Sequence, residues 1–405
     1  MTILTKDNTA KKVGSEAVEI MPCPALGRMG AFTLLLAASL TIMVGSVISP
    51  ALPTIGRHLG FDHSSSWLVT IPSLGVVVFG MLAGRFIDQV GAYRAMIVGL
   101  LLYGLTGIAA ISLSFSQAAV IVDRLLLGGA TAMVMSAGTA LIAEFYEGYA
   151  RLRMIAIQGM AIEIGGVIFL SLGGILGQHD WRLPFLLYLL SWLFLMFFFK
   201  TVPIVRATAR QDALASTFHN KIWSPLIGAA TSMTLFFVAI ITLPFSLHLR
   251  FRLNESETGY FLAFISLMAV AAASIVPVVL RFLRSRSLLA VAFILYGCAL
   301  LLLGLSQEFG LVILGGALMG CGFGFSIPVV NHMVVDESSA HMRGRNLSYL
   351  SMAIFLGQFI SSFLNLISPD GAKILTMTGI ASLLVACIWF FVHRLIWSRS
   401  GSESF

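Results

Sequence analysis

Twelve apolar runs, joined by short polar connections, dominate this chain of 405 residues. Each is long enough for the roughly 20 residues that a helix needs to cross a hydrocarbon core. No water pairs with backbone N–H and C=O groups there, so such a segment must satisfy them internally, as a helix does. The runs predict helices 1 to 6 at about residues 30–54, 67–87, 93–113, 119–143, 153–177 and 184–200. Helices 7 to 12 follow at about 223–247, 257–280, 288–306, 310–333, 346–368 and 372–395.

Charge says which way the bundle sits. Only 11% of residues are charged and 58% are hydrophobic, whereas a soluble globule carries about a quarter charged residues. The net charge of +7 would point to nucleic acid in a soluble chain, but here it is sorted by side. With the N-terminus inside, the cytoplasmic segments hold 19 Lys and Arg residues and the outer loops 5, leaving Arg124 within a helix. That bias predicts cytoplasmic termini and no nucleic-acid partner. The four cysteines have no paired spacing, and no nucleotide-binding loop or metal-ligand cluster is present. Neither a metal, a cofactor nor an enzyme is therefore expected.

The run of helices divides in two. Residues 201–222 form the longest charged connection, with Arg206, Arg210, Asp212 and Lys221. Similar residues recur across it at an offset of about 191 to 192: Leu52-Pro53 with Leu243-Pro244, Gly128-Gly129 with Gly320-Cys321, Arg151 and Arg153 with Arg343 and Arg345. The expected organisation is a tail at 1–29, a six-helix half at 30–200, a linker at 201–222, a second half at 223–395 and a tail at 396–405. The first 25 residues lack the apolar core of a signal peptide and read as a solvated tail. The fold class is an all-α integral membrane protein, twelve transmembrane helices in two parallel six-helix halves with a site between them near the midplane.

Between helices 2 and 3 stands Gly84-x-x-x-Asp88-x-x-Gly91-x-x-Arg94. This order closely resembles the corresponding loop of major facilitator superfamily transporters. The resemblance implies that Gly84 and Gly91 allow close approach and that Asp88 lies against a helix N-terminus. The four residues would then form a latch that breaks when the transporter changes state. Helix 4 opens Asp123-Arg124 and continues to Gly128-Gly129-Ala130, similar to the family's helix 4 signature, with Leu127 where a Gln is usual. In helix 5, Gly165, Gly173 and Gly174 resemble the motif of proton-coupled antiporters, although Phe169-Leu170 replaces the usual Gly-Pro pair. Ala51-Leu52-Pro53 and Trp181-Arg182-x-x-Phe185 resemble segments of the drug-export branch, yet helix 1 has no acid in its body.

Glu163 is the acid to which function is assigned. It lies roughly 15 Å from the inner end of helix 5, near the midplane. An acid at that depth must be protonated, paired or hydrated. Gly159, Gly166 and Gly173 fall within about a quarter turn of it, so it borders a packing face and not a lipid face. Glu163 and Arg124 are the expected proton-coupling pair. Glu163, Phe169, Phe355, Gln358 and Asn365 are the expected substrate contacts, since Gln358 and Asn365 share a face of helix 11 and offer neutral hydrogen bonds. The alternative for such amides is bonding between helices.

By this resemblance the chain is a monomeric secondary transporter of a bacterial inner membrane, embedded in the lipid bilayer. It would export a drug-like compound or metabolite against a coupling proton. The alternatives are an exporter dedicated to one endogenous metabolite such as a sugar or siderophore, and an importer of the same fold.

Overall fold

The computed structural model describes residues 26–61, 64–204, 222–338, 342–368 and 370–400. Most of the expected linker and N-terminal tail, and half of the C-terminal tail, fall outside these ranges. Among the described residues every regular element is a helix, and twelve are long and apolar enough to span a membrane. They are α1 (Arg28–Ser46), α2 (Trp67–Val90), α3 (Ala92–Ser112), α4 (Gln117–Phe145), α5 (Gly148–His179) and α6 (Leu183–Thr201). The second six are α7 (Trp223–Phe251), α8 (Glu255–Val279), α9 (Ser285–Leu305), α10 (Phe309–Asp336), α11 (Arg343–Leu364) and α12 (Gly371–Ser400). An even number of crossings puts the start of α1 and the end of α12 on one side, here the termini side; the opposite end is the far side.

In the first half α4 packs on α2 and α3, and α1 lies along α5. In the second, α10 packs on α8 and α9, α7 lies along α11, and α12 lies along α9. The halves meet along two seams, α5 against α8 and α2 against α11. These seams place α5 and α2 of the first half beside α8 and α11 of the second.

Three boundaries differ from the sequence expectation, each for a local reason. Helix 1 is not continuous to residue 54: α1 stops at Ser46 and a short helix resumes at Leu52–His58. Pro50 lacks an N–H and its ring clashes with the carbonyl four residues back. The connection from 88 to 92 is not a loop, because α2 runs to Val90 and α3 begins at Ala92. Gly91 alone makes that corner, at φ 86° and ψ 153°, a conformation essentially confined to glycine. Finally, α11 ends at Leu364, which leaves Asn365 in the turn beyond it.

Candidate functional site at the seam between the halves

Helix α5 carries glycine on two faces, and these determine how closely it is approached. Gly165 sits on Ser39 of α1, where an added Cβ would come within 2.8 Å of the serine Cβ. Gly173 abuts the Val47 carbonyl, and Gly174 the Glu255 carbonyl and the Gly259 Cα of the α8 region. One heptad below Gly173, Gly166 lies between Ile42 and Ser266, still in contact with both halves. Another heptad down, Gly159 has nothing within 4 Å of its Cβ position. The same stripe is thus closed at two levels and open at the third.

Glu163 stands where closure ends. At about 100° per residue it lies within roughly 20° of Leu170 and Gly174, and these two residues meet α8 at Gly259. Its side chain is half-buried and makes no hydrogen bond or ion pair with any described residue. It lies within electrostatic reach of the Tyr296 hydroxyl on α9, which is bonded to Ser326 at 3.1 Å. A half-buried carboxylate with no side-chain partner among the described residues, at the edge of a seam, can bind a proton or a cationic group.

Beyond Glu163 the far side is sealed. Thr54 donates to Glu255 at 2.7 Å, and Ser256 donates to Gln178 across the α5–α8 seam. On the other seam Thr70 and Ser362 hydrogen-bond each other, and Trp67 meets Phe359 and Phe363 edge-on at 6.3 and 5.9 Å. The Asn254–Glu257 capping box starts α8 beside Glu255 and fixes where that acid lies. Sequence reasoning passed over this seal, although Asn-x-x-Glu before an apolar run was a readable signal for its anchoring turn.

The other expected site residues separate into those near the seam and those away from it. Gln358 is buried and lies across the seam from α1, its Nε2 3.7 Å from the Cβ position of Gly45. Its amide hydrogen-bonds no described residue. Phe355 joins a small apolar cluster with Val76, Ala83 and Ala132, between α11 and the first half. Phe169 instead turns into the core and packs near Gly165, 5% exposed. Asn365 lies past the end of α11 and accepts a 3.0 Å hydrogen bond from Thr242 of α7, a contact inside the second half. Gln358 therefore faces the first half while Asn365 is engaged within the second.

Arg124 is enclosed within the first half. It is fully buried and paired with Asp123 at 2.8 Å, and its guanidinium donates to the carbonyls of Thr106 and Gly107 at 3.0 and 3.1 Å. The rings of Phe185 and Tyr188 lie 5.4 and 5.5 Å from its Cζ. It thereby ties α4 to α3 and α6, and no contact joins it to Glu163. Asp123, expected at a helix end, is also buried, one full turn and more inside α4.

At the termini side, Asp88 is exposed in the last turn of α2 and pairs with no described residue. Arg94 is exposed as well, and Gly84 has open space where a Cβ would be. Gly91 makes the corner between α2 and α3, but Asp88 pairs with no other described residue in this conformation. His332 and Asp336, one turn apart on α10, form a 2.9 Å pair that is about half exposed. Among the described residues no group of His, Cys, Asp and Glu could hold a metal ion.

Residues 34–362 match the Major Facilitator Superfamily sequence profile. Among curated proteins, the uncharacterized MFS-type transporter EfpA of Mycobacterium tuberculosis is 32% identical over 149 residues, 36% of this chain and 28% of its own length. Puromycin resistance protein pur8 of Streptomyces alboniger is 31% identical over 38% of this chain and 31% of its own. Multidrug resistance protein 1 of Bacillus subtilis is 27% identical over 35% and 36%. The chain thus aligns with only about a third of each relative's length. Among solved structures, a peptide transporter POT superposes with a TM-score of 0.74 at 14% identity, covering 92% of this chain and 96% of that one. The nucleoside transporter NupG gives 0.74 at 14%, covering 89% and 99%. These identities speak for the fold alone.

Proposed function

We propose, from the premise that this chain belongs to the Major Facilitator Superfamily, that it exports a small molecule by proton-coupled alternating access across a bacterial inner membrane, both termini in the cytoplasm. The family and the relatives are transporters and not enzymes. The observation that carries the reading is Glu163, an unpaired carboxylate at the level where the seam passes from closed to open. With the termini side cytoplasmic, the conformation described is open inward. Export is supported by the resistance named in two of the relatives.

On this reading a proton arriving from outside neutralises Glu163 and releases the substrate outward. Its departure to the cytoplasm restores the charge for the next substrate. Gln358 offers its free amide to the substrate from α11, and Phe355 forms an apolar wall beside it. Arg124 supports the arrangement by holding α3, α4 and α6 together, since its own partners already enclose it. Gly84, Asp88, Gly91 and Arg94 come into use when the halves close at the termini side. Gln358 also favours a second reading, a carrier for one polar metabolite recognised by hydrogen bonds.

The test is transport in proteoliposomes under an imposed pH gradient, comparing the native protein with Glu163→Gln while lipophilic cations and a metabolite extract compete. Movement driven by the gradient and lost in the variant is the expected result. Transport indifferent to the gradient, or intact in Glu163→Gln, overturns proton coupling through this acid. Competition by polar metabolites but not by cations selects the second reading.

A further inference from the structure

Helices α7, α11 and α12 enclose a groove of about 470 Å³ on the bilayer-facing surface of the second half. It exists because α12 packs along α9, with Ser382 donating to the Phe293 carbonyl, and leaves α11 beside it largely uncovered. Its floor is closed by the tight contact of Gly357 with the Ala230 backbone, so it does not open into the seam.

The first half shows what this position looks like when filled. Ser39 on Gly165 is the counterpart of Ala230 on Gly357, and Ser191 of Ser382, which sets the register between the halves at about 191 to 192 residues. In that register Leu40 and Met43 of α1, both fully buried, correspond to Thr231 and Thr234 of α7. Leu190 and Phe194 of α6 correspond to Ala381 and Val385 of α12. Four bulky side chains in one half are four smaller ones in the other, and the smaller four line the groove.

We propose that this groove holds one acyl chain of a phospholipid from the far leaflet. Along α12 it runs from Ile374, near the far end, to Val385, which at 1.5 Å per residue is roughly 16 Å. One leaflet contributes about 15 Å, half of the hydrocarbon core. The groove therefore starts at the far surface and ends near the midplane, as a chain of that leaflet does. Its lining suits a chain and not a polar ligand. Of the three threonines in it, Thr234 donates to the carbonyls of Ala230 and Gly357 and Thr378 to that of Ile374, which leaves Thr231 as the one hydroxyl among otherwise apolar side chains. Met377 and Ile367, exposed at 58% and 67%, form its lipid-side rim.

The experiment is photolabelling of the full chain in liposomes of phosphatidylethanolamine and phosphatidylglycerol. Each acyl chain carries a diazirine either at its methyl end or beside its ester, and labelled peptides are read by mass spectrometry. The methyl-end probe is expected to label Ala230, Thr231 and Val385, and the ester-end probe Ile367 and Ile374. Refilling the groove with Thr231→Leu plus Thr234→Met, or more lightly with Ala381→Leu, should lower the deep labelling about tenfold, the equivalent of roughly two buried methylenes. Labelling of Leu384 and Ile388 elsewhere on α12 stays as an internal reference. A reversed depth order, which would mean a chain from the other leaflet, overturns the proposal. So does labelling spread evenly around the bundle, or deep labelling that survives Ala381→Leu in a variant that folds.

Discussion

The two ends of the seam are built from the same residue types and behave in opposite ways. On the far side, Gly174 of α5 is in backbone contact with the partner half, and hydroxyl, carboxylate and amide groups cross the gap in pairs. On the termini side, Gly84 and Gly159 face open space and Asp88 has no partner among the described residues. A small residue is not in itself a contact. It is a permission to approach, used at one end in this conformation and unused at the other.

The largest test of that contrast is Gly174→Val. A side chain there meets the Glu255 carbonyl and the Gly259 Cα, and overpacking of this kind costs about 3 kcal/mol at the upper end. The melting temperature should fall, and a cysteine placed at Thr258 should become reactive to far-side thiol reagents. An unchanged melting curve together with an unreactive cysteine would break the distinction between the two ends. Gly91→Ala is expected to cost about 2 kcal/mol, because alanine resists the backbone conformation at that corner. A chemical denaturation series compared with Gly84→Ala, whose site is open, isolates the strain.

Thr54→Val removes one hydrogen bond to a carboxylate in the far-side seal and should cost about 1.5 kcal/mol. Its sharper reading is a shift toward far-side opening, measured as distance distributions between spin labels on α2 and α11. No shift would assign the seal to apolar packing. Smallest is Gly159→Ala, about 0.8 kcal/mol stabilising through helix propensity, since no neighbour is met. Slower turnover despite that gain is expected, because the added methyl obstructs closure at the termini side. Unchanged turnover would mean that this face never closes.

Much of the architecture was legible. The twelve spans follow from apolar run length, and Glu163 stood out because a lone acid at that depth needs a reason. The repeat, found from Leu52-Pro53 and Leu243-Pro244, also supplied the register that accounts for the groove on α12. What was not legible depended on direction. Phe169 was expected at the substrate, yet it packs into the core beside Gly165, while the backbone carbonyl of Leu170 meets α8 at Gly259. Gln358 and Asn365 were matched by helical periodicity, but the helix ended at Leu364 and Asn365 found Thr242.

Run length and charge bias by themselves determined that this chain crosses a membrane twelve times, since both are sums along the chain that no partner can alter. Which polar groups are free and which are paired was decided only by the tertiary structure. Arg124 stands beside Asp123 and Glu163 stands alone in its apolar run, and the sequence placed both in proton coupling. Arg124 is surrounded by Asp123, two carbonyls and two rings drawn from three helices, while Glu163 is left at the opening of a seam. The physical reason is that a charge inside a membrane takes its meaning from neighbours contributed by other helices, and their positions are set by packing.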